Sequence, residues 1–253
     1  FRKWMIILFW VVTILFSIVQ SRIVHYSSLA WFPLTFLAAL TIYRLELKQT
    51  DLKKWIPAML LAIGILISVI LISVPFVGMN ISMLIPYVRD EFAKANMEAV
   101  VAWTGWESLP GIIFLGVILM GYVLLKKHQY NHAAWTLFGG SAIVVFITSI
   151  MIVPKIEQYS QRAAIDFFEE KKTEDCYMTP LGYKTYAHLF YGEKVKPENP
   201  KSYDIEWLLH GDIDKPVYFV SKADRTERFS PYPELKELYR KNGFVFLKRE
   251  LPE

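Results

Sequence analysis

The chain contains one cysteine, Cys176, among 253 residues. A lone thiol cannot close an internal disulfide, so any fold around it must stand on packing, and it offers no metal site. A small buried strand residue is the expectation for it. Also missing is a basic stripe interleaved with aromatics, so nucleic acid is not an expected partner. The formal charge of +4 is modest. After Pro154 there is no glycine-rich phosphate loop, no nucleophile elbow and no histidine pair, which points to a binding or support module rather than a hydrolase. The apolar helices lack the intramembrane charges that mark an ion or substrate path, which argues against a transporter.

What is present is segregated. The chain is 54% hydrophobic yet 21% charged, and its mean hydropathy is +0.29. Apolar runs fill residues 1–153, while dense charge clusters follow Pro154. Two solvents explain that split better than one large core. The expected fold class is an α-helical integral membrane protein with about five transmembrane helices and a small carboxyl-terminal α/β soluble domain at 154–253. A crossing helix needs about 20 apolar residues. The candidates are Trp4–Val19, Leu29–Tyr43, Trp55–Phe76, Gly111–Leu125 and His132–Val153.

Basic residues set the expected orientation. Arg2 and Lys3, then Arg44, Lys48, Lys53 and Lys54, then Lys126 and Lys127, share one side of a five-span layout. That side is expected to be cytoplasmic, which places the residues after Pro154 outside. Within the outer segment 77–110, Val88, Phe92, Ala95, Ala99 and Ala102 recur at helical spacing over Ile85–Trp103, as in a helix lying in the membrane interface. Asp90, Glu91, Glu98 and Glu107 raise a catalytic or metal role, but their spacing forms no recognised ligand set. A solvated interfacial face is the plainer reading.

Beyond Pro154 an amphipathic helix is expected over Glu157–Lys171, a strand over Cys176–Met178 ended by Thr179-Pro180-Leu181-Gly182, and a helix over Lys184–Tyr191. A turn or two of helix follows at Ile205–Leu209, then a strand at Val217–Val220, a helix at Pro233–Lys241 closed by Asn242-Gly243, and a strand at Phe244–Lys248. Such alternation suggests a two- or three-layer, partly parallel sheet. Tyr177, Tyr183, Tyr186, Tyr191 and Trp207 could stack on sugar rings, although each is more commonly a packing residue.

The short outer loop Gln20–Ser28 carries the most chemistry. Arg22, His25 and Tyr26 are expected at headgroup depth. A guanidinium there can fork onto a phosphate, and an imidazole and a phenol add neutral donors. Ordinary interfacial anchoring is the competing reading. The run Ser21-Arg22-Ile23-Val24-His25-Tyr26-Ser27-Ser28-Leu29-Ala30-Trp31-Phe32-Pro33-Leu34, leading into 35–39, resembles a late transmembrane segment of GT-C superfamily glycosyltransferases. The nearest branch is that of the lipid A aminoarabinose transferases and the dolichyl-phosphate-mannose protein mannosyltransferases. Several helices followed by an exoplasmic α/β domain extend the resemblance along the chain.

The resemblance implies a polyprenyl-phosphate sugar donor used on the outer face of a bacterial cytoplasmic membrane, with the carboxyl-terminal domain periplasmic. A glycan, lipid or protein would be the acceptor, and the membrane lipid carrier the partner. Arg22, His25 and Tyr26 become the candidate donor-phosphate site. The family's acidic residue, a base or partner of a divalent metal, lies in an early exoplasmic loop that no position here matches. No catalytic residue and no metal ligand is therefore assigned. The opening Phe1-Arg2-Lys3 suggests the carboxyl-terminal portion of a longer chain. The alternative is a non-catalytic membrane subunit whose outer domain binds a protein partner.

Overall fold

The computed structural model of the chain describes residues 1–18, 27–194 and 199–251. The chain divides into two compact units: Phe1–Ser73 with Ser108–Ile147, and Val74–Glu107 with Thr148–Glu253. Its first helices in chain order are α1 (Arg2–Ile18), α2 (Trp31–Glu46), α3 (Trp55–Met79), the short α4 (Glu91–Met97), α5 (Leu109–Lys126) and α6 (Tyr130–Met151). Among the described residues four stretches are long and apolar enough to cross a membrane: Ser28–Glu46, Trp55–Met79, Trp106–Lys126 and Tyr130–Gln158. The remaining expected span falls on α1, a 17-residue helix that is apolar after Arg2 and Lys3 and borders a segment outside the described residues.

In the first unit the helices meet through glycines. A methyl group at Gly64 would fall 2.6 Å from Ile118, and one at Gly121 would fall 2.4 Å from Leu137. At Gly111 the obstacle is backbone: Ile72 N at 2.7 Å and Ser68 O at 2.9 Å. Close approach of this kind is how helices associate when lipid removes the hydrophobic incentive, leaving dispersion and hydrogen bonds to act. Ser108 Oγ adds one such bond across helices, donating to Ile72 O at 2.9 Å. Outward, Leu66, Val69, Ile143, Val145 and Phe146 are exposed. So large an apolar exterior suits hydrocarbon rather than water.

The second unit holds α4, then α7 (Val153–Gln158), α8 (Arg162–Glu170), β1 (Tyr177–Leu181), α9 (Ala187–Tyr191), α10 (Ile205–His210), β2 (Val217–Lys222), β3 (Lys236–Lys241) and β4 (Phe244–Arg249). The sheet order is β1-β2-β4-β3. Strands β1 and β2 are parallel; β2 with β4 and β3 with β4 are antiparallel. Residues of β2 and β4 alternate between two cores. Tyr218, Val220, Phe244 and Phe246 pack with Ala163, Ala164, Phe167 and Phe168 of α8. Val217, Phe219, Val245 and Leu247 pack with Leu208 and Leu209 of α10. The central strands are therefore buried on both faces, which is why they read as unbroken apolar runs. Phe167, Phe219, Phe244 and Phe246, none more than 1% exposed, each stabilise the domain by about 2–3 kcal/mol through burial.

Four elements differ from the sequence expectation. The helix expected over Ile85–Trp103 shrinks to α4, because Pro86 sits in a 3-10 turn (Ile85–Tyr87) and Asp90 caps a new start. The amphipathic helix over Glu157–Lys171 breaks between α7 and α8, where Ser160 Oγ donates back to Glu157 O at 2.8 Å; such side-chain bonds compete with the helical ladder. Strand β1 continues through Pro180 to Leu181, which an edge strand tolerates because its outer side needs no donor. Most plainly, the helix expected at Pro233–Lys241 is a strand. Asn242 and Gly243 have φ of 48° and 79°, the pair of left-handed residues that turns a two-residue hairpin into β4.

Candidate functional site

Arg22, His25 and Tyr26, the donor-phosphate candidates, lie outside the described residues. The four acidic candidates of 77–110 can be placed, and each has structural work. Asp90 caps α4, accepting from Ala93 N at 3.0 Å. Glu91 pairs with Lys94 at 2.7 Å, and Glu98 closes the helix. Glu107 is different, being only 3% exposed.

Two turns of chain are stitched together at Glu107. Gly105, at φ 89°, bends the Thr104–Glu107 segment back on itself. That bend lets Glu107 Oε2 accept from Thr104 N at 3.1 Å and Gly105 N at 2.9 Å. Its Oε1 accepts from Thr104 Oγ1 at 3.1 Å and meets Lys155 Nζ at 2.6 Å. Lys155 also donates to Ala102 O and lies over the Trp103 ring, 5.6 Å from its centre. Trp103 Nε1 in turn donates to the Tyr159 hydroxyl at 2.9 Å. With four donors, the carboxylate has no free lone pair directed at a reacting proton. The arrangement anchors the 104–107 segment to α7 and is not built as a base. Lys155 was not singled out by sequence reasoning, since a single lysine beyond a span carries no local signal of its partner.

The aromatic candidates for sugar stacking separate in a similar way. Tyr177 donates to Asp214 at 3.0 Å and its ring meets Trp207 at 6.1 Å. Tyr183 and Tyr191 pack against the α8 side of the sheet. Burial pushes the Tyr183 hydroxyl above the ordinary tyrosine range. Only Tyr186 of the five is exposed. Cys176 is buried, as expected of it, and burial raises its thiol pKa.

One cleft of about 960 Å³ opens in the second unit. Its walls come from α4 (Phe92, Asn96), the α7–α8 turn (Gln161), the segment after β1 (Tyr183, Lys184) and the end of β2 with its loop (Lys222, Arg225). The local fold explains why these meet. Positive φ at Gly182 (78°) turns the chain away from β1, and Arg225 Nη1 ties that turn down by donating to Gly182 O at 2.7 Å. Lys222 holds its ammonium 4.0 Å from the centre of the Phe92 ring. Among the described residues, no three His, Cys, Asp or Glu side chains gather as a metal centre would require.

No protein-family model matches the sequence. No curated protein matches it either. Two solved structures do, both of ArnT from Cupriavidus metallidurans. The form bound to undecaprenyl phosphate aligns with a TM-score of 0.58 at 14% identity, and the apo form with 0.57 at 12%. Each alignment covers 95% of this chain and 44% of the ArnT chain. The fold is ArnT-like. This is the architecture that the GT-C resemblance at residues 21–39 implied, and the likeness runs along nearly all of the present chain. The chain spans less than half the length of the ArnT chains it matches.

Proposed function

We propose that this chain is the carboxyl-terminal portion of a membrane glycosyltransferase that takes a sugar from a polyprenyl-phosphate donor. The observation that carries the reading is the ArnT-like fold over 95% of the chain, ArnT itself having been solved bound to undecaprenyl phosphate. Two features of the sequence support it. Arg22, His25 and Tyr26 fall in a short polar stretch of sequence between two apolar runs, a position suited to meeting a carrier phosphate that arrives sideways through the bilayer. Charge grows on the phosphate as the sugar leaves, so a forked guanidinium stabilises the transition state more than the ground state. The basic residues Arg44, Lys48, Lys53, Lys54, Lys126 and Lys127 favour a cytoplasmic face for their loops and an exoplasmic face for the second unit. In this reading the mixed-sheet domain is periplasmic and helps to choose the acceptor, a glycan, lipid or protein.

The test is sugar release. Membranes carrying the intact protein, supplied with undecaprenyl-phosphate-linked sugars, should liberate undecaprenyl phosphate faster than membranes lacking it. Equal rates with every donor tried would contradict the reading. Retention of a protein partner by the outer domain under the same conditions would then favour a non-catalytic membrane subunit.

A further inference from the structure

The cleft walled by Lys184, Lys222 and Arg225 has a charge pattern that packing does not require. No aspartate or glutamate is among the described residues that line it. Elsewhere in the same unit Arg162, Lys171, Arg240, Lys248 and Arg249 each meet a carboxylate within 4 Å. Lys184, Lys222 and Arg225 instead have aromatic or backbone partners: the Tyr186 ring at 6.0 Å, the Phe92 ring at 4.0 Å and Gly182 O at 2.7 Å. Those partners hold three positive charges in place without neutralising any of them.

The rest of the lining narrows the ligand. Phe92, Met97, Pro180, Ile205 and Phe244 supply apolar surface. The volume, about 960 Å³, exceeds what a bare inorganic ion fills and suits a molecule with an anionic head and a larger body. A single carboxylate would leave most of the positive charge unmatched. A phosphate monoester carries between one and two negative charges near neutral pH and three acceptor oxygens, and Arg and Lys are its common protein partners.

We propose that this cleft binds a phosphate monoester, with Lys184, Lys222 and the free edge of the Arg225 guanidinium as its donors. The proposal stands on the second unit alone and does not depend on the transferase reading. The same chemistry could arrive as a soluble phosphate ester or as a lipid headgroup, and the experiment separates the two.

The full chain in detergent micelles would be titrated with inorganic phosphate by calorimetry. In parallel it would be scored for retention of phosphatidic acid, against phosphatidylcholine, by native mass spectrometry. The variants are Lys184→Gln, at an exposed side chain, Lys184→Gln with Lys222→Gln, and Lys201→Gln as a lysine outside the cleft. Loss of one charge-assisted bond should weaken binding roughly 10-fold or more, with a further loss in the double variant and none in Lys201→Gln. Phosphate binding that follows this pattern supports a soluble ester. Retention of phosphatidic acid alone, following the same pattern, supports a headgroup. Absence of binding to both probes, or equal losses in Lys184→Gln and Lys201→Gln, would overturn the proposal.

Discussion

Glu107 Oε1 and Lys155 Nζ lie 2.6 Å apart, with the Glu107 side chain 4% exposed and that of Lys155 23% exposed. The pair ties the segment before α5 to α7, so the expected effect of breaking it is structural. Lys155→Met leaves a buried carboxylate without its counter-charge, which costs roughly 3 kcal/mol. Lys94→Met, which breaks the more exposed bridge to Glu91, should cost less than about 1 kcal/mol. Apparent melting temperatures in detergent would compare them, and equal shifts would sink the anchoring role.

Trp103 lies against the backbone at Gly78, where an added methyl group would fall 2.3 Å from the indole. Gly78→Ala should therefore destabilise the second unit by about 1–3 kcal/mol. Pairing it with Trp103→Ala should recover part of that loss, because the two changes share one space. Strict additivity would contradict the contact.

Gly111 and Gly116 lie on the same helix in opposite circumstances. A methyl group at Gly116 meets nothing within 4 Å, whereas one at Gly111 strikes the backbone of Ile72 and Ser68. Gly116→Ala is expected to be neutral or to raise stability by up to about 1 kcal/mol through helix propensity. Gly111→Ala should destabilise, since backbone cannot turn aside as a side chain can. The thermal stability of the two variants in micelles checks this.

His188 links the second unit to pH. Burial lowers its pKa from the ordinary 6.5, and Nδ1 is buried without a partner among the described residues. The folded state thus binds fewer protons than the unfolded state. Stability is complete above about 6.5 and declines as pH falls from there toward the lowered folded value. His188→Gln should flatten the acid side of a stability-against-pH curve, and an unchanged slope would remove His188 as its source.

The hairpin shows what the sequence made legible and what it hid. Four of the five expected spans, the mixed sheet and the apolar strands β2 and β4 could be read because each leaves an apolar run or a period in the sequence. Strand β3 could not. Its residues Lys236–Lys241 are all exposed, so nothing but propensity spoke, and Glu, Leu, Lys and Arg favour helix. The signal lay in Asn242-Gly243 itself, which the sequence reading takes as a helix end but which is a hairpin turn more often when strand residues follow. Gly243→Val should cost about 1–2 kcal/mol for its left-handed backbone, whereas Asn242→Gly should be close to neutral. Of the candidate sites, Arg22, His25 and Tyr26 were singled out by residue type, position and the GT-C resemblance, and lie outside the described residues. The Glu107–Lys155 anchor and the cationic cleft were not, because both are assembled from distant segments.

The proposed function makes this chain part of a polyprenyl-phosphate-dependent transferase. Its most direct test is equilibrium binding of undecaprenyl phosphate to the intact protein in nanodiscs, compared with Arg22→Ala. The account predicts saturable binding that Arg22→Ala weakens roughly 10- to 100-fold, the worth of a charge-assisted phosphate contact, with the fold unchanged by circular dichroism. Saturable binding that Arg22→Ala leaves untouched would contradict the donor site, and no saturable binding at all would contradict the claim.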